Sequence, residues 1–170
     1  MTTIAASSQR PPRECDAVRH SDFDLTTLDQ RSAAAARDWA VDQAAEWGVR
    51  PDGIENVRLV VSELVTNAVR HTSGPPCTAQ LLLIHQENGA VRVEVRDCGR
   101  EDGAGPAVIG HEDTELFAES GRGLTLVAAF SNEWGVHEIV PGYPALGHVV
   151  WAHPEDACAP VPVAAWSGRP

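Results

Sequence analysis

The sequence predicts an α+β fold, a two-layer sandwich in which helices cover one face of a mainly antiparallel sheet. Helical spacing of apolar residues dominates positions 32–71, whereas short apolar or alternating segments separated by turn residues dominate positions 78–153. Two of these segments are joined by Asn88-Gly89, a strong signal for a hairpin between antiparallel strands. Helices that precede an antiparallel meander are typical of the α+β class.

Two long helices are predicted in the first half of the chain. The first covers residues 32–47, where a run of alanines favours helix and Gly48 with Pro51 marks its end. The second covers residues 51–71, and a Ser-Gly-Pro-Pro sequence soon after it excludes further helix. Its apolar residues recur every three or four positions, as one buried face requires: Ile54, Val57, Val60, Val61, Leu64, Val65 and Ala68.

The second half of the chain is predicted to form four strands and one short helix. The helix covers residues 122–130, and a glycine-rich loop, residues 99–120, precedes it. Loops of this length inside a compact domain are usually functional. The predicted strands cover residues 78–85, 90–96, 132–140 and 147–153.

A length of 170 residues suits one domain. The first residues are rich in Ser, Arg and Pro, and the last are rich in Pro. We therefore expect a flexible leader at 1–18, a folded domain at 19–153 and a Pro-rich tail at 154–170.

Composition excludes several classes of protein. The chain carries 24 acidic and 13 basic residues, a net charge of −11, which opposes binding to a phosphate backbone. It has no apolar run near the ~20 residues that span a bilayer, and its first residues lack the apolar core of a signal peptide. The cysteines (Cys15, Cys77, Cys98 and Cys158) form no CxxC pair, which favours reduced thiols and a cytoplasmic protein.

An unusual polar group lies within the apolar pattern of the second helix. Glu63, Asn67 and His71 are spaced by four, so they lie along one helical face, with Arg70 beside them. Such a trio is often only a solvated surface. Alternatively, the Asn67 oxygen holds Mg²⁺, which often takes one or two protein ligands and fills the rest with phosphate and water oxygens. Glu63, one turn away, would then accept a proton from an attacking hydroxyl.

Asp97-Cys98-Gly99 directly follows a predicted strand. Asp followed closely by Gly at a strand end usually forms a simple turn. In a binding site, an ionised Asp97 would instead accept a hydrogen bond from an adenine amino group, and Gly99 would let the base approach the backbone.

Gly121-Arg122-Gly123-Leu124 opens the third predicted helix. Glycines are common at such positions without any function. A functional alternative is that free backbone N–H groups and the helix dipole bind phosphates, with Arg122 adding a charged donor.

The order and spacing of these three motifs resemble the ATP-binding (Bergerat-type) fold of the GHKL superfamily. The resemblance rests on SELVTNAVRH at 62–71, on Asp97-x-Gly99 and on Gly121-Arg122-Gly123-Leu124, and it covers about residues 23–153. More closely, the chain resembles the bacterial anti-sigma factor serine kinases, particularly the single-domain regulators of actinobacteria.

The resemblance implies a role for each motif residue. On the second helix, Glu63 matches the general base and Asn67 the magnesium ligand, while Arg70 and His71 also fall in the family pattern. The remaining matches are to nucleotide-contacting positions. Asp97 matches the residue that contacts the adenine amino group, Gly99 the glycine under the base, and residues 99–120 the lid. The motif Gly121-Arg122-Gly123-Leu124 matches the segment beside the phosphates.

Two functions follow as expectations. The first is a Mg²⁺- and ATP-dependent protein serine/threonine kinase acting on an anti-anti-sigma partner, which intact Glu63 and Asn67 favour. The second is a non-catalytic anti-sigma module that sequesters a sigma factor with little or no use of nucleotide. Three departures from the family favour it: Glu101 in place of a motif glycine, His148 where many relatives have Lys, and an acidic lid with Glu112, Asp113, Glu115 and Glu119. Relatives also imply a homodimer.

Overall fold

A computed structural model gives the fold and describes residues 17–26, 28–71, 78–99, 122–139 and 147–160. Eight helices and strands lie within these ranges: β1 (Ala17–Leu25), α1 (Gln30–Glu46), α2 (Pro51–His71), β2 (Ala79–Gln86), β3 (Val91–Asp97), α3 (Arg122–Ala129), β4 (Ser131–Glu138) and β5 (His148–Pro154).

The strands form one antiparallel sheet in the order β1-β2-β3-β5-β4. β2 and β3 form the hairpin predicted around Asn88-Gly89, with Leu83 opposite Val93. β5 lies between β3 and β4, so the last strand of the chain is central and not at an edge.

The helices cover one face of this sheet. α1 and α2 pack side by side, α2 lies over β3 and β5, and α3 packs against α2. The apolar face of α2 meets β3 in a fully buried core that includes Val60, Leu64, Val93 and Val95. The predicted α+β sandwich is confirmed, and α2 has the bounds that the sequence predicted.

The sequence prediction missed β1. This strand presents Phe23 and Leu25 to the helices, while Asp22 and Asp24 on the opposite side are exposed. β1 is an edge strand, and charged residues suit an exposed edge although Asp is rare in strands generally. The strand begins at Ala17, within the predicted leader; residues 1–16 lie outside the described ranges.

The packed part of the chain extends past the predicted boundary at 153. After β5, Ala157 and Ala159 are buried in the core, and the Ala159 N–H donates to the carbonyl of Gly89 at 2.8 Å. The Val91 N–H donates in turn to the carbonyl of Ala157 at 2.8 Å. Residues 155–160 therefore form a closing segment at the turn end of the β2–β3 hairpin, and the rest of the predicted tail, 161–170, lies outside the described residues.

The expectation of reduced thiols is wrong for Cys98, which is disulfide-bonded. Spacing in sequence did not reveal this, because the antiparallel pairing of β2 with β3 brings Cys98 next to Thr78. Cys158 is a free thiol, and Cys15 and Cys77 lie outside the described residues. No helix in the described ranges combines the length and the hydropathy needed to cross a bilayer.

Candidate functional site

α2 presents Glu63 and Asn67 on its flank. The neighbouring positions Leu64 and Ala68 are buried against the sheet, whereas Glu63 and Asn67 are partly exposed. Their spacing of four residues puts the carboxylate and the carboxamide one turn apart on one side of the helix. Arg70 is exposed, and His71 is the last residue of α2, with its side chain outside the described part of the structure.

The first turn of α3 lies against Glu63. A Cβ atom added to Gly123 would come within 2.9 Å of Glu63 Oε2, so the carboxylate end of Glu63 would have to move to make room for it. Leu124, the next residue, is buried and anchors α3 in the core. The structure thus brings Glu63 and Gly123 together as the resemblance implies; Gly121 and the side chain of Arg122 lie outside the described residues.

The end of β3 places Asp97 in a buried turn. The side chain of Asp97 is 8% exposed, and its Oδ1 accepts a hydrogen bond from the Gly99 N–H at 2.7 Å. Gly99 has a φ of +72° and completes the turn. On the other side Asp97 pairs with His148 of β5, which is also buried.

These contacts form two halves of the candidate site. One half joins Glu63 of α2 to Gly123 of α3, and the other joins Asp97 to Gly99 at the end of β3. Since α2 packs over β3, the helix that carries Glu63 and Asn67 is common to both. Residues 100–120, most of the predicted lid with Glu101 and the four other acidic residues, lie outside the described ranges.

The donor set around Asn67 suits a metal shared with phosphate. Within the described residues, no group of three or more His, Cys, Asp or Glu side chains is arranged to hold a metal ion. A cation fully caged by protein therefore does not fit these residues. A Mg²⁺ ion bound through one carboxamide, with phosphate and water oxygens as its other ligands, does fit.

A groove that sequence reasoning missed borders Glu63. It has a volume of about 600 Å³ and lies where α1, α2 and the end of α3 meet. Arg37 of α1 reaches across it and donates from Nη1 to Ser62 Oγ at 3.4 Å, while the partly exposed ring of Phe130 forms another wall. Arg37 follows an alanine run and directly precedes Asp38, and its spacing gave no signal of a site. Only helix packing brings it near Glu63.

Comparison with known proteins agrees with this arrangement. The family model described as "Histidine kinase-like ATPase domain" matches residues 26–152. A solved structure of the RsbU and RsbW domains of Rv1364c from Mycobacterium tuberculosis is similar in fold, with 20% sequence identity and a TM-score of 0.53. That match covers 79% of this chain and 32% of the other, so this chain spans about a third of the mycobacterial one.

A second solved structure, the mycobacterial sensor histidine kinase MprB, matches at 13% identity with a TM-score of 0.44, covering 79% of this chain and 99% of that one. No curated protein matches the chain significantly. The family model covers well over half of the 170 residues, including Glu63, Asn67, Asp97 and Gly123. The chain therefore belongs to the histidine kinase-like ATPase domain family, whose nucleotide is ATP.

Proposed function

We propose that this protein is an anti-sigma regulatory factor that binds Mg·ATP and phosphorylates a serine or threonine of an anti-anti-sigma partner. The observation that carries the proposal is the position of Glu63. Its carboxylate lies against Gly123, the start of the phosphate-side helix, and it also lines the groove between α1 and α2. A base for phosphoryl transfer needs both neighbours, a nucleotide and a hydroxyl.

In the proposed reaction, the partner's hydroxyl enters through the groove and attacks the γ-phosphorus of ATP. Glu63 accepts the hydroxyl proton, the bond from the γ-phosphorus to the bridging oxygen breaks, and ADP leaves. Backbone N–H groups at the start of α3 orient the phosphates, and Asp97 accepts from the adenine amino group. Arg37 and Ser62, which are hydrogen-bonded to each other and line the same groove, would hold the incoming segment of the partner by further hydrogen bonds.

Asn67 is the residue that would hold Mg²⁺ beside the phosphates. The ion, when bound, supplies positive charge that offsets the charge of the triphosphate. This role is assigned to Asn67 because its carboxamide lies one turn from Glu63, on the flank of α2 that faces the start of α3.

A second candidate function is a binding module that sequesters a sigma factor without phosphoryl transfer. The substitution that favours it is His148, since many relatives have a lysine there and this histidine is buried opposite Asp97. An imidazole in this position lacks the long charged arm with which a lysine reaches a phosphate.

Transfer of label from γ-³²P-ATP separates the two functions. The purified chain is incubated with candidate anti-anti-sigma proteins, with and without Mg²⁺, beside a Glu63→Gln variant. We expect Mg²⁺-dependent labelling of one partner, and a loss of about a hundredfold or more in the variant, which keeps the shape and removes the base. Absence of labelling together with binding of a sigma factor would support the binding module instead.

The partners and the oligomeric state are part of the same proposal. We propose a sigma factor and its antagonist as alternative partners of a homodimer. Light scattering on the isolated protein tests the dimer, because a monomer has a mass of 18.2 kDa.

A further inference from the structure

We propose that the groove beside Glu63 selects its protein substrate by an apolar side chain that lies about three residues from the phosphorylated hydroxyl. This inference rests on the proposed function and deepens it, because it names a chemical feature of the segment that presents the hydroxyl. The receiving surface is the apolar strip, formed by Leu126 of α3 and by Phe130, which follows the end of α3.

The apolar strip is exposed although α3 is a packed helix. Leu126 and Phe130 are each 37% exposed, and they are two of the three large apolar side chains that are exposed in the described part of the chain. The Phe130 N–H donates to the Leu126 carbonyl at 3.0 Å, so the helical turn continues and both side chains share one face. Leu124 and Val127, on the other side of α3, already fill the core. The apolar strip is therefore available to another chain.

The apolar strip leads to the proposed base. Gly123 precedes Leu126 by three residues and Phe130 by seven, spacings that keep all three on one side of the helix. Gly123 lies against Glu63 Oε2, and Phe130 lines the groove together with Glu63. Leu59, one turn before Glu63 on α2, lines the groove as well. A segment that presents its hydroxyl to Glu63 therefore passes an apolar wall.

The distance from the base to Phe130 sets the spacing in the substrate. Seven helical residues separate Gly123 from Phe130, a rise of about 10 Å at about 1.5 Å per residue. An extended chain covers about 3.3 Å per residue, so about three residues bridge this distance. Side chains an odd number of residues apart point to opposite sides of an extended chain. This suits a hydroxyl that faces Glu63 on α2 and an apolar side chain that faces the apolar strip on α3.

The position of Phe130 relative to α2 is fixed by the closing segment. The Phe130 carbonyl accepts from the Glu155 N–H at 3.0 Å, and the Glu155 carbonyl accepts from Asn56 Nδ2 at 2.8 Å. Asn56 lies on α2 and also lines the groove. The apolar wall is therefore in place before a partner binds, and binding does not have to order it.

α2 offers a hydrogen-bond donor to an extended backbone. Arg58 lines the groove, and its Nε is buried without a hydrogen bond although Glu55 Oε2 lies 3.4 Å away. A backbone carbonyl of a bound segment would satisfy this N–H group. An extended segment has carbonyls to spare, whereas a helix uses its own within the helix. The occupant is therefore an extended segment of the partner.

The charges in the groove disfavour an acidic side chain at the apolar position. The carboxylates of Asp38, Glu55 and Glu63 line the groove with only two guanidinium groups, and that of Arg58 already faces Glu55. An Asp three residues from the hydroxyl would lose the apolar contact and meet a net negative charge. The groove therefore accepts a large apolar residue there and rejects an acidic one.

Labelling of peptides tests this selection. The purified chain is incubated with Mg²⁺, γ-³²P-ATP and short peptides that carry one central serine in a background of Gly and Gln, with a single Leu moved through the positions on either side. We expect labelling about tenfold above the peptide without Leu when Leu lies three residues before or after the serine. Leu at a spacing of two or four should give little gain, and Asp in place of the favoured Leu should lower labelling. Labelling that is independent of the position of Leu, or that peaks at another spacing, would overturn the inference.

Variants of the apolar strip test which residues make the contact. Phe130→Ser and Leu126→Ser should raise the KM for the favoured peptide about fivefold to tenfold, with kcat and the KM for the peptide without Leu unchanged. Phe130→Leu should behave like wild type, since it keeps the wall apolar. Ile139→Ser is the matched control, because it removes the third exposed apolar side chain, which lies outside the groove. An equal rise in KM for both peptides would show a general loss of structure and overturn the contact.

The outcomes separate this inference from the proposed function. If a whole anti-anti-sigma partner is labelled and no peptide is, a short segment does not dock in the groove, and the inference fails alone. If neither a partner nor a peptide is labelled, the proposed function fails and the inference fails with it. Labelling that peaks with Leu three residues from the serine and falls in Phe130→Ser supports both.

Discussion

At the scale of single residues, Asn67 carries the most specific chemical assignment. Its carboxamide lies on α2 one turn beyond Glu63, and no protein cage for a metal exists among the described residues. Binding of Mg·ATP should therefore depend on this one oxygen far more than binding of nucleotide without metal.

We predict that Asn67→Ala lowers the affinity for Mg·ATP by about tenfold to a hundredfold, in the range seen when one metal-site partner is removed. The affinity for ATP in the presence of a chelator should change little. Calorimetry with and without Mg²⁺ measures both values. Glu63→Gln is the control, since it alters the proposed base and leaves the metal ligand in place. Equal affinities of Asn67→Ala and wild type for Mg·ATP would contradict the proposed metal role of Asn67.

His85 is a buried residue that the site does not use. Arg19 Nε donates to His85 Nδ1 at 3.1 Å, so His85 Nε2 carries the hydrogen and donates to the carbonyl of Ala159 at 3.1 Å. A charged imidazolium would carry a hydrogen on Nδ1 as well, so two N–H donors would face each other and the hydrogen bond from Arg19 would be lost. Burial is the main cause that lowers the pKa of His85 below its usual value of 6.5, and the charge of Arg19 lowers it further.

A pH-dependent stability follows from this neutral ring. The pKa of His85 is lower in the fold than in the unfolded chain, so the unfolded chain binds the extra proton first as the pH falls below about 6.5. The contribution of neutral His85 to the free energy of unfolding is complete above that pH. It is lost as the pH falls toward the lower pKa that His85 has in the folded protein. We predict that wild type loses more stability between pH 7 and pH 5 than His85→Gln, whose amide keeps both hydrogen bonds.

Urea unfolding at each pH measures this difference. His20→Gln is the matched control, because His20 is exposed on β1. Equal losses for wild type and His85→Gln would show that the proton is taken up elsewhere, for instance at His137 or His153, whose pKa values burial also lowers.

At the scale of elements, β3 has a different character on each face. Val93 and Val95 point into the core below the helices, whereas Arg92, Glu94 and Arg96 line the opposite face. Glu94 accepts from Arg92 Nε at 2.7 Å and from Arg96 at 3.3 Å, and the guanidinium of Arg92 lies 4.0 Å from the centre of the Trp151 ring. Arg92 and Glu94 are each 3% exposed, so their charges depend on each other.

We predict that Glu94→Gln destabilises the fold by about 3 kcal/mol, because it leaves the Arg92 charge buried without its counter-charge. The double variant Arg92→Met, Glu94→Leu should regain most of this loss, since it removes both charges and keeps the volume. Urea unfolding gives the free energies, and Glu87→Gln, in the exposed hairpin turn, is the control. A loss below about 1 kcal/mol in Glu94→Gln would contradict the buried pair.

The junction of β3 with β5 depends on Gly147. This residue has a φ of +113°, and a Cβ atom there would collide with the carbonyl oxygen of Asp97. We predict that Gly147→Ala displaces Asp97 and lowers ATP affinity by about tenfold, as expected when a positioning contact shifts. Gly89→Ala, also at a positive φ of 87° but in the hairpin turn, should lose stability and keep ATP affinity, measured by calorimetry. Equal affinities in the two variants would contradict the link.

At the scale of the whole molecule, residues 155–160 close the end of the sandwich opposite Asp97. Ala157 is 2% exposed and lies below the start of α2. In α2, a Cβ atom added to Gly53 would collide with the carbonyl oxygen of Asp156, so this position requires glycine. The neighbouring Cys158 is exposed. The closing segment therefore belongs to the folded core, although it comes after the last strand.

We predict that Ala157→Asp destabilises the protein by about 3 kcal/mol, since it buries a carboxylate without a partner. Cys158→Asp adds the same charge one residue later, in water, and should stay within about 0.5 kcal/mol of wild type. Thermal or urea unfolding compares the two. If both variants unfold alike, the segment is not packed as described.

The sequence by itself determined α1, α2, the β2–β3 hairpin, α3 and the last two strands, because local periodicity and turn residues act over a few positions. It also predicted the elements on which the three motifs lie, namely the flank of α2, the end of β3 and the start of α3. Only the tertiary structure decided that β1 pairs at the edge, that residues 155–160 enter the core and that Cys98 has a disulfide partner. It alone put Gly123 against Glu63 and Arg37 across the groove. Those features join residues far apart in the chain, and long-range pairing leaves no periodic mark in the sequence.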